Sequence, residues 1–354
     1  MNVFELPDFD DHEQVVFASD ARTGLRAIVA LHSTALGPAA GGCRMWRYAS
    51  SGDAVADALR LSRGMSYKNA MADLPLGGGK AVIIGDPRRD KTPELLEAFG
   101  RVVESLGGRY VTAEDVGTTA ADMEVISRVT RYVSGLHRRA GGAGGDPSPW
   151  TALGTFLGIR AAVKFKLGRQ SLEGVSVAVQ GTGGVGYHLC RLLTAEGARV
   201  RAADVRAEAL DRVVSELGVT PVSAESILFE PVDVIAPCAL GAVLNATSIP
   251  RLKAPIVAGA ANNQLATADD GVRLHAAGVL YAPDYVINAG GIISVAREYL
   301  GGATEEQVKS EVHRIADRLL EIFERSRREN RPTSAVADQL ARERLRAGER
   351  RLVA

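Results

Sequence analysis

A glycine-rich turn set between a strand and a helix restricts this chain more than any other stretch. Residues 172–180 (LEGVSVAVQ) have the apolar pattern of a buried strand, and Gly181-Thr182-Gly183-Gly184-Val185-Gly186 follows at once. Residues 187–193 then read as a helix, and a second strand, 199–204, ends in Asp204. Alone, the spacing GxGxxG is weak. With a strand before it, a helix after it and an acid closing the next strand, it is the fingerprint of a dinucleotide-binding βαβ unit. Such glycines allow a tight turn and bring a pyrophosphate close to the helix N-terminus, where unpaired N–H groups favour an anion. Asp204 would accept hydrogen bonds from ribose hydroxyls and repel a 2′-phosphate, so NAD is the expected cofactor. Arg201 and Arg206 lie near enough to permit some NADP use.

The same alternation continues downstream. Strand-like runs at 232–236, 256–259 and 279–282 each end in a polar or glycine-rich loop, at 237–241, 260–264 and 283–291. In an open parallel sheet ligands collect at the carboxyl ends of the strands, so these loops are expected to line a crevice facing a first domain. The glycine- and proline-rich stretch 140–149 is the clearest break in composition and marks a domain boundary and hinge. The predicted organisation is α/β in two domains separated by a cleft. Residues 1–146 form the substrate and catalytic domain, on which a C-terminal helix at 331–354 packs back, and 147–330 form the Rossmann domain. The arginines of that last helix are expected on a solvated face.

The first domain centres on residues 65–80 (MSYKNAMADLPLGGGK), where Lys68 and Lys80 stand twelve positions apart. Lys80 follows three glycines and opens an apolar strand, 81–84. Two ammonium groups brought together in a partly dry cleft disfavour each other's charge, and one can then become a neutral amine able to act as a base. Upstream, 14–18 and 25–31 read as a hairpin around a turn at 20–24, and 35–46 as a loop whose Gly41 and Gly42 could turn backbone N–H groups to a carboxylate. Ser51 is placed to cap a helix that delivers Lys68 near its end. Asp115, at a strand end before Gly-Thr-Thr, suits either a helix cap or acid–base work, and the local sequence favours the cap.

Lysine plus arginine balances aspartate plus glutamate at 42 each, which argues against an electrostatic nucleic-acid or membrane binder. No apolar run is long enough to span a bilayer, and the acidic start is no signal peptide. The three cysteines show no CxxC spacing, hence no zinc or disulfide framework is expected. A cytoplasmic location follows from this reading.

Seven stretches together resemble the glutamate/leucine/phenylalanine/valine dehydrogenase family over nearly the whole chain: GPAAGGCRMW (37–46), GMSYKNAMADLPLGGGKAVIIGDP (64–87), YVTAEDVGTT (110–119), GTGGVGYHLC (181–190), PCALGA (237–242), ANNQL (261–265) and DYVINAGGI (284–292). The resemblance implies reversible, NAD-dependent oxidative deamination of an L-amino acid to its 2-oxo acid and ammonia, by a homo-oligomer. It assigns Lys80 to activating the water that attacks the imine carbon, Asp115 to moving protons at the substrate nitrogen, and Lys68 to holding the substrate carboxylate beside Gly41 and Gly42. Met65, Ala40, Ala113, Asn262, Ile292 and Val295 would surround the substrate. Thr151, the 181–186 turn, Asp204, Val205, Cys238, Ala239, Ala260, Asn262 and Asn288 would hold the cofactor. Ala40 stands where leucine-type members usually carry leucine, which enlarges the side-chain pocket and keeps an aromatic substrate of the phenylalanine or tryptophan type as the alternative. A dinucleotide-binding regulator without catalysis is a further alternative, which intact Lys68, Lys80 and Asp115 disfavour.

Overall fold

The computed structural model describes residues 2–136, 146–239, 241–301 and 303–353. Residues 140–145 of the expected 140–149 hinge, and Leu240 in the 237–241 loop, lie outside the described residues. Contacts divide the chain into two units. One comprises Met1–Gly145, Val295–Thr304 and Ala341–Ala354, the other Asp146–Ser294 and Glu305–Leu340.

The first unit is built on a five-stranded sheet. Strands β1 (Gln14–Asp20) and β2 (Leu25–Ser33) form the expected antiparallel hairpin, paired from Gln14↔Leu31 to Asp20↔Leu25. The next strand, β3 (Ala39–Trp46), occupies most of the segment read as a loop. Its Ala-Ala-Gly-Gly start has poor strand propensity, but it lies between two parallel neighbours that bury it, and tertiary packing overrides the local preference. Helix α1 (Ser51–Met71) is capped by the Ser50 side chain, one residue earlier than expected, which accepts the Asp53 N–H. Strand β4 (Gly77–Ile84), helix α2 (Pro93–Ser105), strand β5 (Tyr110–Glu114) and helix α3 (Ala120–Ser127) complete it. The sheet order is β1-β2-β4-β3-β5. On one face Leu95, Phe99 and Val103 of α2 and Met123 and Ile126 of α3 pack on Val29, Cys43, Met45 and Ile83. On the other, Val55, Ala58 and Leu59 of α1 pack on Ile28, Ala30 and Val82.

The second unit opens with α4 (Ser148–Leu167), then β6 (Ser176–Gln180), α5 (Gly184–Ala195), β7 (Arg199–Ala203), α6 (Ala207–Leu217) and β8 (Thr220–Pro221). Strands β9 (Val234–Pro237) and β10 (Ile256–Val257), helix α7 (Ala268–Ala276) and β11 (Leu280–Tyr281) follow. The order β11-β10-β9-β6-β7-β8, with every pairing parallel, is the dinucleotide-fold arrangement whose switch point lies between β6 and β9. Helices α8 (Asp284–Ile287), α9 (Gly290–Leu300), α10 (Glu305–Glu329) and α11 (Thr333–Val353) close the chain. In α11 Arg342 donates to the Tyr67 hydroxyl (2.8 Å) and Arg344 to the Ala70 carbonyl (3.0 Å) and Asp73 (2.7 Å), so these two arginines clasp the end of α1 rather than facing solvent alone.

Candidate active site

In the first unit, glycines bring three elements into contact around one lysine. A Cβ on Gly41 would lie 1.8 Å from the Gly79 carbonyl oxygen and 3.1 Å from Met65 Cγ, and one on Gly42 would lie 2.9 Å from Asp115 Cβ. One on Gly79 would meet the Tyr110 ring at 2.8 Å. The Gly77–Gly79 run is therefore the start of β4, not a loop before it, and no side chain fits there. Pairing of β3 with β4 passes from Ala40↔Gly78 to Cys43↔Ala81, leaving Gly41 and Gly42 outside it, and Tyr110 donates its hydroxyl to the Gly41 carbonyl at 2.6 Å. Ala40 is buried and Ala113 sits across from Gly42. Lys68 occupies the last turn of α1, half-buried, one turn beyond Met65.

Lys80 is 5% exposed, and its Nζ lies 3.0 Å from Asp115 Oδ2. The same oxygen accepts the Arg44 Nε–H at 2.8 Å. Arg44 also donates through Nη1 to Asp57 Oδ2 at 2.9 Å, an oxygen that takes the Tyr48 hydroxyl at 2.7 Å, while Arg60 meets Asp57 Oδ1 at 2.9 Å. Burial pushes the Lys80 amine below its ordinary value, Asp115 opposes this, and the field of Arg44 adds to it. The largest cationic contribution is thus that of Arg44, not of Lys68 as the spacing suggested. Burial alone would raise Asp115, but Lys80 and Arg44 outweigh it and hold the carboxyl below its usual range. Asp115 caps no helix: Thr119 caps α3 and forms a reciprocal box with Asp122. A buried amine of lowered basicity against an ionised carboxylate can exchange protons with a bound molecule near neutral pH.

The second unit presents the turn. At Gly186 a Cβ would lie 1.9 Å from the Gly181 oxygen, so this glycine closes the strand onto the helix; at Gly183 the nearest atom is Arg206 Nη2, at 3.4 Å. Gly183 is the N-cap of α5 and no side chain caps it, which leaves helix N–H groups for an anion. Asp204 Oδ2 accepts from Thr182 N–H (2.8 Å) and hydroxyl (3.2 Å), and Oδ1 from the Arg206 N–H (2.9 Å). Arg201 is engaged by Glu230 instead of being held for a phosphate. Val205 beside them is 90% exposed, unusual for valine. Ala239 packs on Gly181, and the Cys238 thiol is pushed up to about 12 by burial. Asn288 Nδ2 donates to Asn262 Oδ1 (2.7 Å) and the Ala260 carbonyl (3.0 Å), while Asn288 Oδ1 is buried without a partner among the described residues. Thr151 near the start of α4 would meet a Cβ on Gly291 at 2.5 Å, so the 290–291 glycines let α9 begin against it. Ile292 and Val295 are half-buried on α9. The uncapped α5 N-terminus, the open side of Gly183 and the orphan Asn288 oxygen fit a dinucleotide.

Arg44, Asp57 and Tyr48 escaped sequence reasoning. Their signal was an arginine between Cys43 and Met45, which is notable in a strand and ordinary in a loop. Also unforeseen is a buried cluster in which His32 meets the Ser66 hydroxyl (2.8 Å) and Asp10 (3.4 Å), and stacks edge-on with His12 at 4.9 Å.

The "Glu/Leu/Phe/Val dehydrogenase, dimerisation domain" model matches residues 12–132 and the "Glutamate/Leucine/Phenylalanine/Valine dehydrogenase" model residues 203–348. Leucine dehydrogenase of Geobacillus stearothermophilus is 50% identical over 98% of this chain and 94% of its own. Valine dehydrogenase of Streptomyces coelicolor is 50% identical over 96% and 93%. The crystal structure of L-tryptophan dehydrogenase from Nostoc punctiforme superposes with a TM-score of 0.84 at 45% identity, covering 96% of this chain and 97% of that one.

Proposed function

The chain belongs to the glutamate/leucine/phenylalanine/valine dehydrogenase family, and on that premise we propose how its residues carry out the reversible, NAD-dependent oxidative deamination of an apolar L-amino acid. The overall change consumes amino acid, water and NAD⁺ and yields the 2-oxo acid, ammonium, NADH and a proton. The observation that carries the assignment of roles is the pairing of buried Lys80 with half-buried Asp115 at 3.0 Å.

Lys68, as a cation, holds the α-carboxylate, with Gly41 and Gly42 supplying backbone beside it. Lys80, as the neutral amine, takes a proton from the water that adds to the imine carbon. Asp115 moves protons to and from the substrate nitrogen. Ala40, Met65, Ala113 and Val295 contribute apolar surface for the side chain. None of them is charged, so a second carboxylate such as that of glutamate would be desolvated without a partner. When bound, NAD supplies the hydride acceptor. Amides at Gly183–Gly186 hold its phosphates and Asp204 its adenosine ribose. Val205, Cys238, Ala239, Ala260, Asn288 and Thr151 complete the dinucleotide site. The dimerisation model that matches residues 12–132 supports a homo-oligomer, and the cytoplasm, where NAD and amino acids are both at hand, is the compartment this reading implies. Among the described residues no helix is long and apolar enough to cross a membrane.

A panel of L-amino acids assayed for NADH formation, with Lys80→Ala and Asp115→Asn as controls, tests this. Leucine and valine are expected to turn over and glutamate to fail. Folded Lys80→Ala with near wild-type turnover would reject the role of Lys80. An aromatic preference is the second reading, favoured by the small Ala40 and by the likeness to the Nostoc tryptophan dehydrogenase; higher kcat/KM for tryptophan or phenylalanine than for leucine in the same panel would establish it.

A further inference from the structure

Two cations share one oxygen of Asp115. Lys80 Nζ stands 3.0 Å and Arg44 Nε 2.8 Å from Oδ2, and among the described residues Oδ1 accepts no hydrogen bond. A carboxylate largely withdrawn from water, as Asp115 is with a 24% exposed side chain, needs a counter-ion, and removing its only one leaves a poorly compensated charge. If Lys80 alone paired with Asp115, losing its proton would carry that cost and the amine would stay charged. Arginine stays charged at any working pH and forms two directed bonds at once, so it can keep Asp115 company while the lysine titrates.

We propose that Arg44 is a positioning residue that serves as the standing counter-ion of Asp115, which frees Lys80 to work as a neutral amine and leaves Oδ1 to the substrate nitrogen. The rest of the network fits this role. Asp57, at the far end of the Arg44 guanidinium, is fixed in turn by Tyr48 and Arg60, so Arg44 is held from both sides. Among the described residues, Arg44 and Cys43 from β3 and Tyr110 from β5 act on Lys80 or Asp115. Burial raises the Cys43 thiol and the Tyr110 hydroxyl far enough that both stay neutral, which leaves Arg44 as the permanent charge of the set. Arg44 also lines an open cavity of about 640 Å³ with Trp46, Tyr48, Asp57 and Arg60, so a small cation can reach its place from solvent.

This inference rests on the amino-acid dehydrogenase reading, so it is tested by a readout that needs no turnover. The rate at which acetic anhydride labels Lys80, followed by mass spectrometry against pH, gives the titration midpoint of that amine in the full chain. In Arg44→Gln the midpoint is expected to rise by about 1 unit, because both the loss of a nearby cation and the tighter Asp115 pairing favour the charged amine. Arg44→Lys, able to serve one carboxylate but not both, is expected to rise by roughly half as much. Guanidinium ion at millimolar concentration should return the Arg44→Gln midpoint toward wild type. The acid limb of kcat/KM for the preferred amino acid should move to higher pH in step. No rise in whichever variant folds overturns the proposal, as does a fall in kcat with the midpoint and acid limb unmoved, which marks a merely structural arginine. Absence of turnover in the wild type would count against the dehydrogenase reading and leave the labelling result standing.

Discussion

Gly41 and Gly79 in the first unit and Gly183 in the second lack the same side chain, but the space beside them differs. Next to Gly41 there is a backbone oxygen at 1.8 Å from any added Cβ, and next to Gly79 a tyrosine ring at 2.8 Å. Beside Gly183, among the described residues, only the end of a flexible arginine comes as near as 3.4 Å. In the first unit glycine is therefore a packing device: it lets β3, β4 and the Met65–Ser66 stretch of α1 close together beside Lys80. In the second it is a clearance, kept for a ligand and not for the protein. Glycine next to a functional residue has two physical meanings, and only the surroundings distinguish them.

The comparison is sharpest under alanine. Gly41→Ala sets a methyl against backbone that no rotamer change can relieve, so its cost should reach or exceed the upper end of the ~1–3 kcal/mol typical of overpacking. A thermal melt should show that variant strongly destabilised or insoluble; a wild-type melting temperature would dissolve the distinction. Acid should act next, also on the filled side. Burial, with His12 beside it, lowers His32 from 6.5 to about 4. The folded state thus binds fewer protons than the unfolded one between these values, and stability present above pH 6.5 is lost as pH falls toward 4. The loss is up to roughly 3 kcal/mol, and urea melts across that range, with His32→Gln flattening the dependence, check it.

Ala40→Leu probes the same packed region at the proposed side-chain pocket. Added methyl groups should cut kcat/KM for phenylalanine more than for valine, by roughly 5- to 150-fold. An unchanged ratio would remove Ala40 from the pocket. The smallest effect on the fold should come from Gly183→Ala: a melting temperature within ~1 °C of wild type, with KM for NAD raised about 10-fold because the methyl enters the clearance. If that variant instead lost stability and kept its KM, Gly183 would be a packing glycine like the others.

The second unit was the more legible in sequence because its signals are local. A strand, a glycine turn, a helix and an acid follow one another in fewer than forty residues, and their order dictates a parallel sheet. The first unit hid more. β3 looked like a loop since alanine and glycine carry little strand preference, and what makes it a strand is burial between β4 and β5, contributed by residues far along the chain. Once β3 was missed, Arg44 read as one arginine among many. Lys80 stood out, but the neighbour that presses on its proton did not, because Arg44 and Asp115 are joined only by the parallel pairing of β3 with β5. Local sequence does not tell Asp115 from a cap; the family resemblance does, and in the structure Thr119 fills the cap position.

The clasp of Arg342 and Arg344 on the end of α1 also bears on how the chain is made. The helix that carries Met65 and Lys68 leaves the ribosome early, but the arginines that hold Tyr67, Ala70 and Asp73 emerge only after the whole dinucleotide-binding sheet has been synthesised. The first unit is begun first and finished last. A chain that ends at Leu340 should carry every residue of the second unit and still leave the α1 terminus of the first unfastened, so translation itself delays completion of the lysine-bearing turn.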